Sequence, residues 1–406
     1  MTWGFATRRG LYATALILAA SRLALAQQPA SVPATPPQTS PPYVFDMGRI
    51  VVVGNSDGQP GIGSAIVTSD QIRMFDRNSL DQAVNLVAGV ASTLDANGRR
   101  NESDVFVRGF GRWQVPLMID GVRVYLPADN RLDFSRFLTA DIAEVQIQKG
   151  YASVLDGPGA MGGAINLVTR TPTRPFEVEG SVWTGGRSAS EGWNGYAMVG
   201  TRQPKYYLQG SVNQSDRNFW SLSGNYRPTA ASLQPRGRRL GSDSADARYN
   251  VKAGFTPNSR DEYSFNFTKQ LGEKGAPLNV NNAPPVPPNS FWRWPYWDIQ
   301  NTSFLSRTGL GTASYVKTKV YYNTFTNGLD AFDDITYTTQ SANGRFRSPY
   351  DDHASGLGVE LGTTRRANTL KGSAYFRNDV HTEQQINRPT HPTLSSTEPQ
   401  QEQALT

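Results

Sequence analysis

Gly157-Pro158-Gly159-Ala160-Met161-Gly162 satisfies G-x-G-x-x-G, the pattern in which a glycine turn seats a pyrophosphate at a helix N-terminus. That chemistry needs the helix. Instead the glycines lead into Ile165-Asn166-Leu167-Val168-Thr169, a run that favours a strand, so nucleotide binding is set aside. The three histidines, His353, His381 and His391, fall in apparent loops without ligand spacing and read as solvated, so no metal is expected. The chain has no cysteine, which removes thiol catalysis, disulfides and Cys-type zinc sites. No nucleophile–base–acid set and no P-loop lysine is visible, so neither an enzyme nor a cofactor is expected. Binding and passage remain.

The elements that must position such a site begin behind a processing segment. Arg8-Arg9, an apolar stretch from Leu11 to Ala20 and Ala24-Leu25-Ala26 read as a signal peptide over residues 1–26. The arginine pair fits an ordinary n-region better than twin-arginine export. Residues 27–48 are a Pro-rich linker, followed by Arg49-Ile50-Val51-Val52-Val53-Gly54. That run reads either as the first strand of a domain or as a segment (49–54) that adds to the edge of a partner's sheet. Residues 69–170 read as a compact α+β unit. Ser79-Leu80-Asp81-Gln82 is a capping box, with Leu80, Ala83, Val84 and Val87 on one helical face. Val105 to Arg108 is a strand, and Leu117–Ile119, Asp120-Gly121 and Val122–Val124 form a hairpin with a type I′ turn.

The texture changes after residue 171, where 30 of the 43 aromatics lie and strict alternation appears. Tyr249, Val251, Ala253 and Phe255 alternate with Arg248, Asn250, Lys252 and Gly254; Phe265 and Phe267 alternate with Asn266 and Thr268. Short connections (203–204, 257–259, 309–311, 365–366) alternate with long ones (roughly 214–243, 272–298 and 327–352). A transmembrane β-barrel has this pattern, whereas a soluble sandwich has no reason to lengthen every second loop. No apolar run is long enough for a membrane-spanning helix, and mean hydropathy is −0.48. The 40 basic and 34 acidic residues are spread along the chain, so no nucleic-acid partner is expected.

The order of these motifs resembles TonB-dependent outer-membrane receptors. V-F-V-R-G-F (105–110) and L-M-I-D-G-V-R-V (117–124) are similar to that family's plug pattern I-R-G-F followed by V-L-I-D-G-V-x-V. Lys149-Gly150, Ala152-Ser153, Leu155, Gly157, Gly162-Gly163, Ile165-Asn166 and Val168-Thr169 stand in register with K/R-G-P-A-S-x-L-Y-G and the subsequent G-G-x-I-N-I-V-T. The chain departs at Tyr151, Asp156 and Gln146, the last commonly Glu in the family, which puts in doubt a buried ion pair there.

The resemblance implies an α+β plug domain (55–171) followed by an incomplete antiparallel transmembrane β-barrel (172–406). About nine strands are expected between residues 175 and 380, against 22 in the family. Gln400 to Thr406 reads as a polar tail, and the sequence as the N-terminal part of a longer receptor. The implied function is import, across the bacterial outer membrane, of a scarce nutrient such as a ferric siderophore. TonB would capture the box at Ile50, Val51, Val52 and Val53, and outer-membrane lipid would surround the strands. Arg99, Arg100, Tyr125 and Arg131 are the candidate ligand contacts, and three arginines there favour an anionic chelate. Trp292, Trp294 and Trp297 would belong to an interfacial girdle or stack on the ligand. Arg108, Gly109, Asp120, Gly121, Gly150, Gly157, Gly162, Gly163 and Asn166 are expected as structural motifs of the plug, with Arg108 holding it to the barrel. A plug-only binding module and a structural or adhesive outer-membrane protein stay open at this point.

Overall fold

The structure, a computed structural model, describes residues 45–50, 63–94, 100–124, 130, 132–150, 153, 159–185, 190–229, 232–280 and 290–406. The expected signal peptide and most of the Pro-rich segment lie outside these residues.

The first unit starts with strand β1 (Ser64–Thr68) and helix α1 (Ser69–Met74). Thr68 and Gln71 close a capping box at α1: Gln71 N donates to Thr68 Oγ1 (3.3 Å), and Thr68 N donates to Gln71 Oε1 (3.0 Å). Helix α2 (Leu80–Val84) buries Leu80, Ala83 and Val84, with Val87 just beyond, as their spacing predicts. Its expected capping box does not form. The Ser79 hydroxyl instead donates to the Asp81 carboxylate (2.5 Å), and Gln82 Oε1 accepts from Asn78 N (3.1 Å). An ionised acceptor two residues away competes well for a serine hydroxyl.

Strands β2 (Val90–Leu94) and β3 (Ser103–Val107) pair with each other. Strands β4 (Leu117–Ile119), β5 (Val122–Val124), β6 (Ile142–Lys149) and β7 (Gly163–Thr169) join β1 in a five-stranded sheet of order β1-β6-β7-β4-β5. Only β4 and β7 run parallel in it. Strands β6 and β7 are buried almost throughout, because both faces of this central pair are covered. The core gathers Leu80, Val107, Ile119, Val145 and Leu167, and extends to Trp297, Ile299 and Phe325 of the second unit.

That second unit is one antiparallel sheet in which long strands pair in chain order: β8 (Glu177–Gly185), β9 (Ser190–Arg202), β10 (Tyr206–Ser221), β12 (Ser244–Phe255), β13 (Glu262–Gly275), β14 (Trp292–Leu310), β15 (Ser314–Ala331), β16 (Phe346–Arg365), β17 (Asn368–Asn387) and β18 (Ser396–Leu405). The two-residue β11 (Arg238–Arg239) pairs with the end of β10. The sheet is not closed: β8 and β18 are its two edges. Burial is inverted relative to a soluble domain. Val251 and Phe265 are 49% and 47% exposed, while their alternating neighbours Lys252 and Asn266 are 0% and 3% exposed. The polar face therefore looks toward the first unit and the apolar face outward, the arrangement of a membrane barrel.

Nine of these strands occupy the span in which nine were expected. The tenth, β18, corrects the reading of the polar tail. Its sequence S-T-E-P-Q-Q-E-Q-A-L has no apolar alternation, and it is a strand because the free edge of β17 supplies main-chain partners from Asn378 to Asn387. Strand lengths are also corrected. β16 and β17 have 20 residues each and run into spans that read as connections. At about 3.4 Å per residue such strands reach well past an apolar band about 25 Å tall, even when tilted. The three long connections shrink accordingly to 222–243, 276–291 and 332–345, a further one spans 388–395, and the short turns stay where they were expected.

Candidate functional site at the interface of the two units

The Asp120-Gly121 turn has φ of +50° and +70°, positive at both central residues as a type I′ turn requires. Asp120, thereby fixed, accepts from Thr169 N (2.8 Å) and Thr169 Oγ1 (2.6 Å). The Lys252 ammonium on β12 lies 3.4 Å from Asp120 Oδ2, donates to Thr169 Oγ1 (2.5 Å), and sits 3.6 Å from the centre of the Phe45 ring. Asn166 joins this hub: its Oδ1 accepts from Gly121 N (2.9 Å), and its Nδ2 donates to Gly48 O (2.8 Å) and Gln146 Oε1 (2.9 Å).

The same Gln146 oxygen accepts from Ile50 N (3.0 Å), so an amide at this position ties the incoming segment to the sheet. An ion pair forms nearby through a different acid, with Arg49 Nε and Nη2 donating to Glu144 Oε1 and Oε2, both at 2.8 Å. Phe45 and Ile50 are buried. Ile50, the one box residue within the described set, is thus docked against the sheet; Val51, Val52 and Val53 lie outside it.

A second cluster gathers Arg108, Gly109, Gly150, Gly162 and Gly163. Arg108 and Gly109 both have positive φ, so β3 ends at Val107 and the chain reverses there. Arg108 Nη1 donates to Lys149 O (3.1 Å), within the first unit. This contact lies within the first unit, and the expected role of Arg108 in holding the plug to the barrel stays a proposal. Gly150 N donates to Gly162 O (3.0 Å), and Gly162 N to Gln114 O (2.9 Å). Gly163 has φ +129°, and a Cβ there would collide with the Gln148 carbonyl. Gly157 lies outside the described residues.

The ties between the units are residues that motif reading missed. Arg136 pairs with Asp246 of β12 (Nη2–Oδ1 2.7 Å), and Arg248 of β12 pairs with Asp141 (Nε–Oδ2 2.9 Å) at 2% and 1% side-chain exposure. Lys274 of β13 pairs with Asp133 (2.6 Å), and Lys319 of β15 donates to Gly121 O. Burial alone would raise the Asp133 pKa, but the neighbouring Lys274 and Arg136 charges outweigh it and hold the carboxyl below its ordinary value. The available signal was charge at the inward positions of alternating strands, Arg248 and Lys252 among them.

Two of the three tryptophans are corrected to core. Trp297 packs edge-on against Phe137 and Phe325, each at 5.6 Å, and Trp294 lies under the Lys274 ammonium (4.6 Å). They point inward, so they serve neither a girdle nor a ligand platform. Trp292 is half-buried beside Phe346, with the Arg100 guanidinium 5.7 Å from its ring centre. Arg100 thus stands at the long-loop end of the sheet; Arg99, Tyr125 and Arg131 lie outside the described residues. The histidines are corrected as well. His353 is on β16, and His381 is buried on β17 with Nδ1 2.6 Å from Asp352 Oδ1. Only His391 sits in a connection. Among the described residues no His, Cys, Asp and Glu grouping could hold a metal ion.

Residues 61–164 match the family model described as TonB-dependent Receptor Plug Domain. The vitamin B12 transporter BtuB of Vibrio vulnificus is 30% identical over 137 residues, covering 33% of this chain and 22% of its own length. The ferric enterobactin receptor of Pseudomonas aeruginosa is 22% identical over 253 residues, covering 56% of this chain and 34% of its own. The solved ferripyoverdine receptor of the Pseudomonas aeruginosa outer membrane, bound to ferripyoverdine, aligns with a TM-score of 0.64 at 12% identity. That alignment covers 91% of this chain and 52% of the other, and its likeness is one of fold. The chain spans about half the length of that solved receptor and a fifth to a third of the curated relatives.

Proposed function

We propose, on the premise that this chain belongs to the TonB-dependent receptors of the bacterial outer membrane, that it serves energy-driven import of a scarce small-molecule nutrient. The observation that carries the reading is a plug sheet seated against the polar inner face of an antiparallel strand wall and fastened by buried ion pairs. Such a wall keeps its apolar face in lipid, and the plug blocks the polar side. The long connections then face outward and the short turns the periplasm. The ligand enters from the long-loop side and meets the plug loops 92–104 and 125–132, with Arg99, Arg100, Tyr125 and Arg131 as its first contacts. TonB takes the box at residues 50–53 by strand addition, after the Ile50 hydrogen bond to Gln146 opens. Work done through that contact loosens the plug. The ligands of the similar proteins, vitamin B12, ferric enterobactin and ferripyoverdine, set the range of cargo.

In this reading residues 1–26 are removed on export, 27–48 reach toward the partner, 55–171 form the plug and 172–406 the barrel wall. Uptake of radio-iron as a ferric catecholate complex, by cells expressing the full chain with and without TonB, tests the proposal. Uptake should require TonB and should fall to background when residues 50–53 are deleted. Equal uptake in both backgrounds would refute it.

A further inference from the structure

The chain enters the plug through a short strap whose first described side chain is held by the barrel wall. Phe45 is fully buried among Val122 and Val168 of the plug and Tyr207, Leu305 and Tyr321 of strands β10, β14 and β15. Its ring lies 3.6 Å from the Lys252 ammonium of β12, the cation that pairs with Asp120 of the plug (3.4 Å). An ammonium and a ring that meet away from water attract more strongly than the same pair on a surface. One side chain thus touches the plug, the wall and the ion pair that joins them.

The strap then turns back toward the plug. Asp46–Gly48 form a single 3₁₀ turn, closed by Gly48 N donating to Phe45 O (2.9 Å). Gly48 passes so near the Asp120 turn that a Cβ on it would lie 2.7 Å from Asp120 Oδ1 and 2.8 Å from Phe45 Cδ1. Gly48 O accepts from Asn166 Nδ2 (2.8 Å), Arg49 pairs with Glu144 (2.8 Å), and Ile50 N donates to Gln146 Oε1 (3.0 Å). Ile50, first of the box, therefore ends an unbroken chain of contacts that begins at Phe45. These contacts are unequal. The Arg49 side chain is 39% exposed and its ion pair holds weakly, whereas withdrawing Phe45 gives up a closed apolar seat and the contact with Lys252 together.

We infer that Phe45 is an anchor upstream of the box, an autoinhibitory contact that keeps the box from its partner until the ring leaves its seat in the barrel wall. The inference rests on the import reading and adds a step before capture by TonB. The stretch that reaches toward the partner then ends before Phe45. A way out lies beside the strap: a cavity of about 570 Å³ at the short-turn end is lined by Met47 and by Pro204 and Pro257 of the turns. The strap can be drawn into it without parting two wall strands.

The test follows maleimide labelling of the full chain in nanodiscs, with neither TonB nor ligand, at a single thiol placed in the box by Val52→Cys. The chain has no cysteine of its own, so no other thiol reacts. Emptying the seat with Phe45→Ala should speed labelling at least about tenfold, because the opening equilibrium of the strap sets the rate. Phe45→Leu, which fills the seat without a ring, should fall between the parent and Phe45→Ala. A thiol placed in the plug core instead, by Ala83→Cys, lies apart from the Phe45 seat and should react at one slow rate in all three chains. Equal labelling of Val52→Cys in the parent and in Phe45→Ala would overturn the inference. A matching rise at Ala83→Cys would make Phe45 a core residue of the plug rather than an anchor, and would overturn it too. A Phe45→Leu chain as slow as the parent would overturn the part given to the ring on Lys252. These rates are read without TonB, so TonB-dependent uptake judges the import reading separately.

Discussion

Replacing Arg248 by Met should loosen the plug more than any exposed charge change does. Arg248 and Asp141 are 2% and 1% exposed at the side chain, and Arg248 Nε lies 3.0 and 2.9 Å from the two Asp141 oxygens. Removing the cation leaves a carboxylate in a site closed to water, which costs about 3–5 kcal/mol. That corresponds to about two to three and a half decades in the equilibrium for plug release. Removing both charges with Arg248→Met and Asp141→Leu should recover most of the loss, because a buried pair costs about as much in desolvation as it returns. The exposed Arg73–Asp70 pair (50% and 64%) is the internal control, worth no more than about 0.5 kcal/mol.

The chain has no cysteine, so one engineered thiol reports plug position. Ser303→Cys suits this, since Ser303 is buried on the inner face of β14 and its hydroxyl makes no hydrogen bond among the described residues. Maleimide labelling of that thiol against urea gives the release midpoint for each variant. If Arg248→Met shifts it no more than Asp70→Asn does, the ion pairs do not hold the plug and the reasoning fails.

Gly163→Ala should cost at least about 2 kcal/mol, through its positive φ and the clash with Gln148 O, and should lower the yield of heat-modifiable protein. Gly372→Ala, in open space, should change it by less than about 0.5 kcal/mol. The depressed Asp133 pKa contributes stability that is complete above the unfolded value, near 3.9, and is lost as pH falls through the lower folded value. Plug release should therefore ease below about pH 4, and Asp133→Asn should flatten that part of the profile when tracked by thiol labelling. Thr68→Ala should remove the capping box and cost about 1 kcal/mol, seen as faster hydrogen exchange confined to α1.

Much of this architecture was legible because its signals are local. The type I′ turn needs positive φ at Asp120 and Gly121, and Asp-Gly announces it. Alternation from Tyr249 to Phe267 exposed a two-faced strand wall, since side chains alternate with a period of two. The hidden features depend on partners distant in sequence. Arg136 meets Asp246 across 110 residues, and Lys274 meets Asp133 across 141, with no local pattern to mark either. Trp297 misled because a tryptophan near a strand end suits an interface girdle, and only the plug behind it makes it core. The tyrosines laid over glycines of the next strand, Tyr207 over Gly254 and Tyr321 over Gly356, likewise follow from register alone. Strand β18 was missed because an edge recruits a strand through main-chain groups that leave no trace in side-chain pattern.

A plug fastened to its strand wall must be loosened by energy delivered through TonB if the proposed import is to occur. Labelling of Ser303→Cys by a small thiol reagent in living cells, with a transported ferric chelate present, reads that loosening directly. Labelling should rise in energised cells with TonB and stay at background when TonB is removed or the membrane is de-energised. One labelling rate in all three conditions would contradict energy-driven release of the plug.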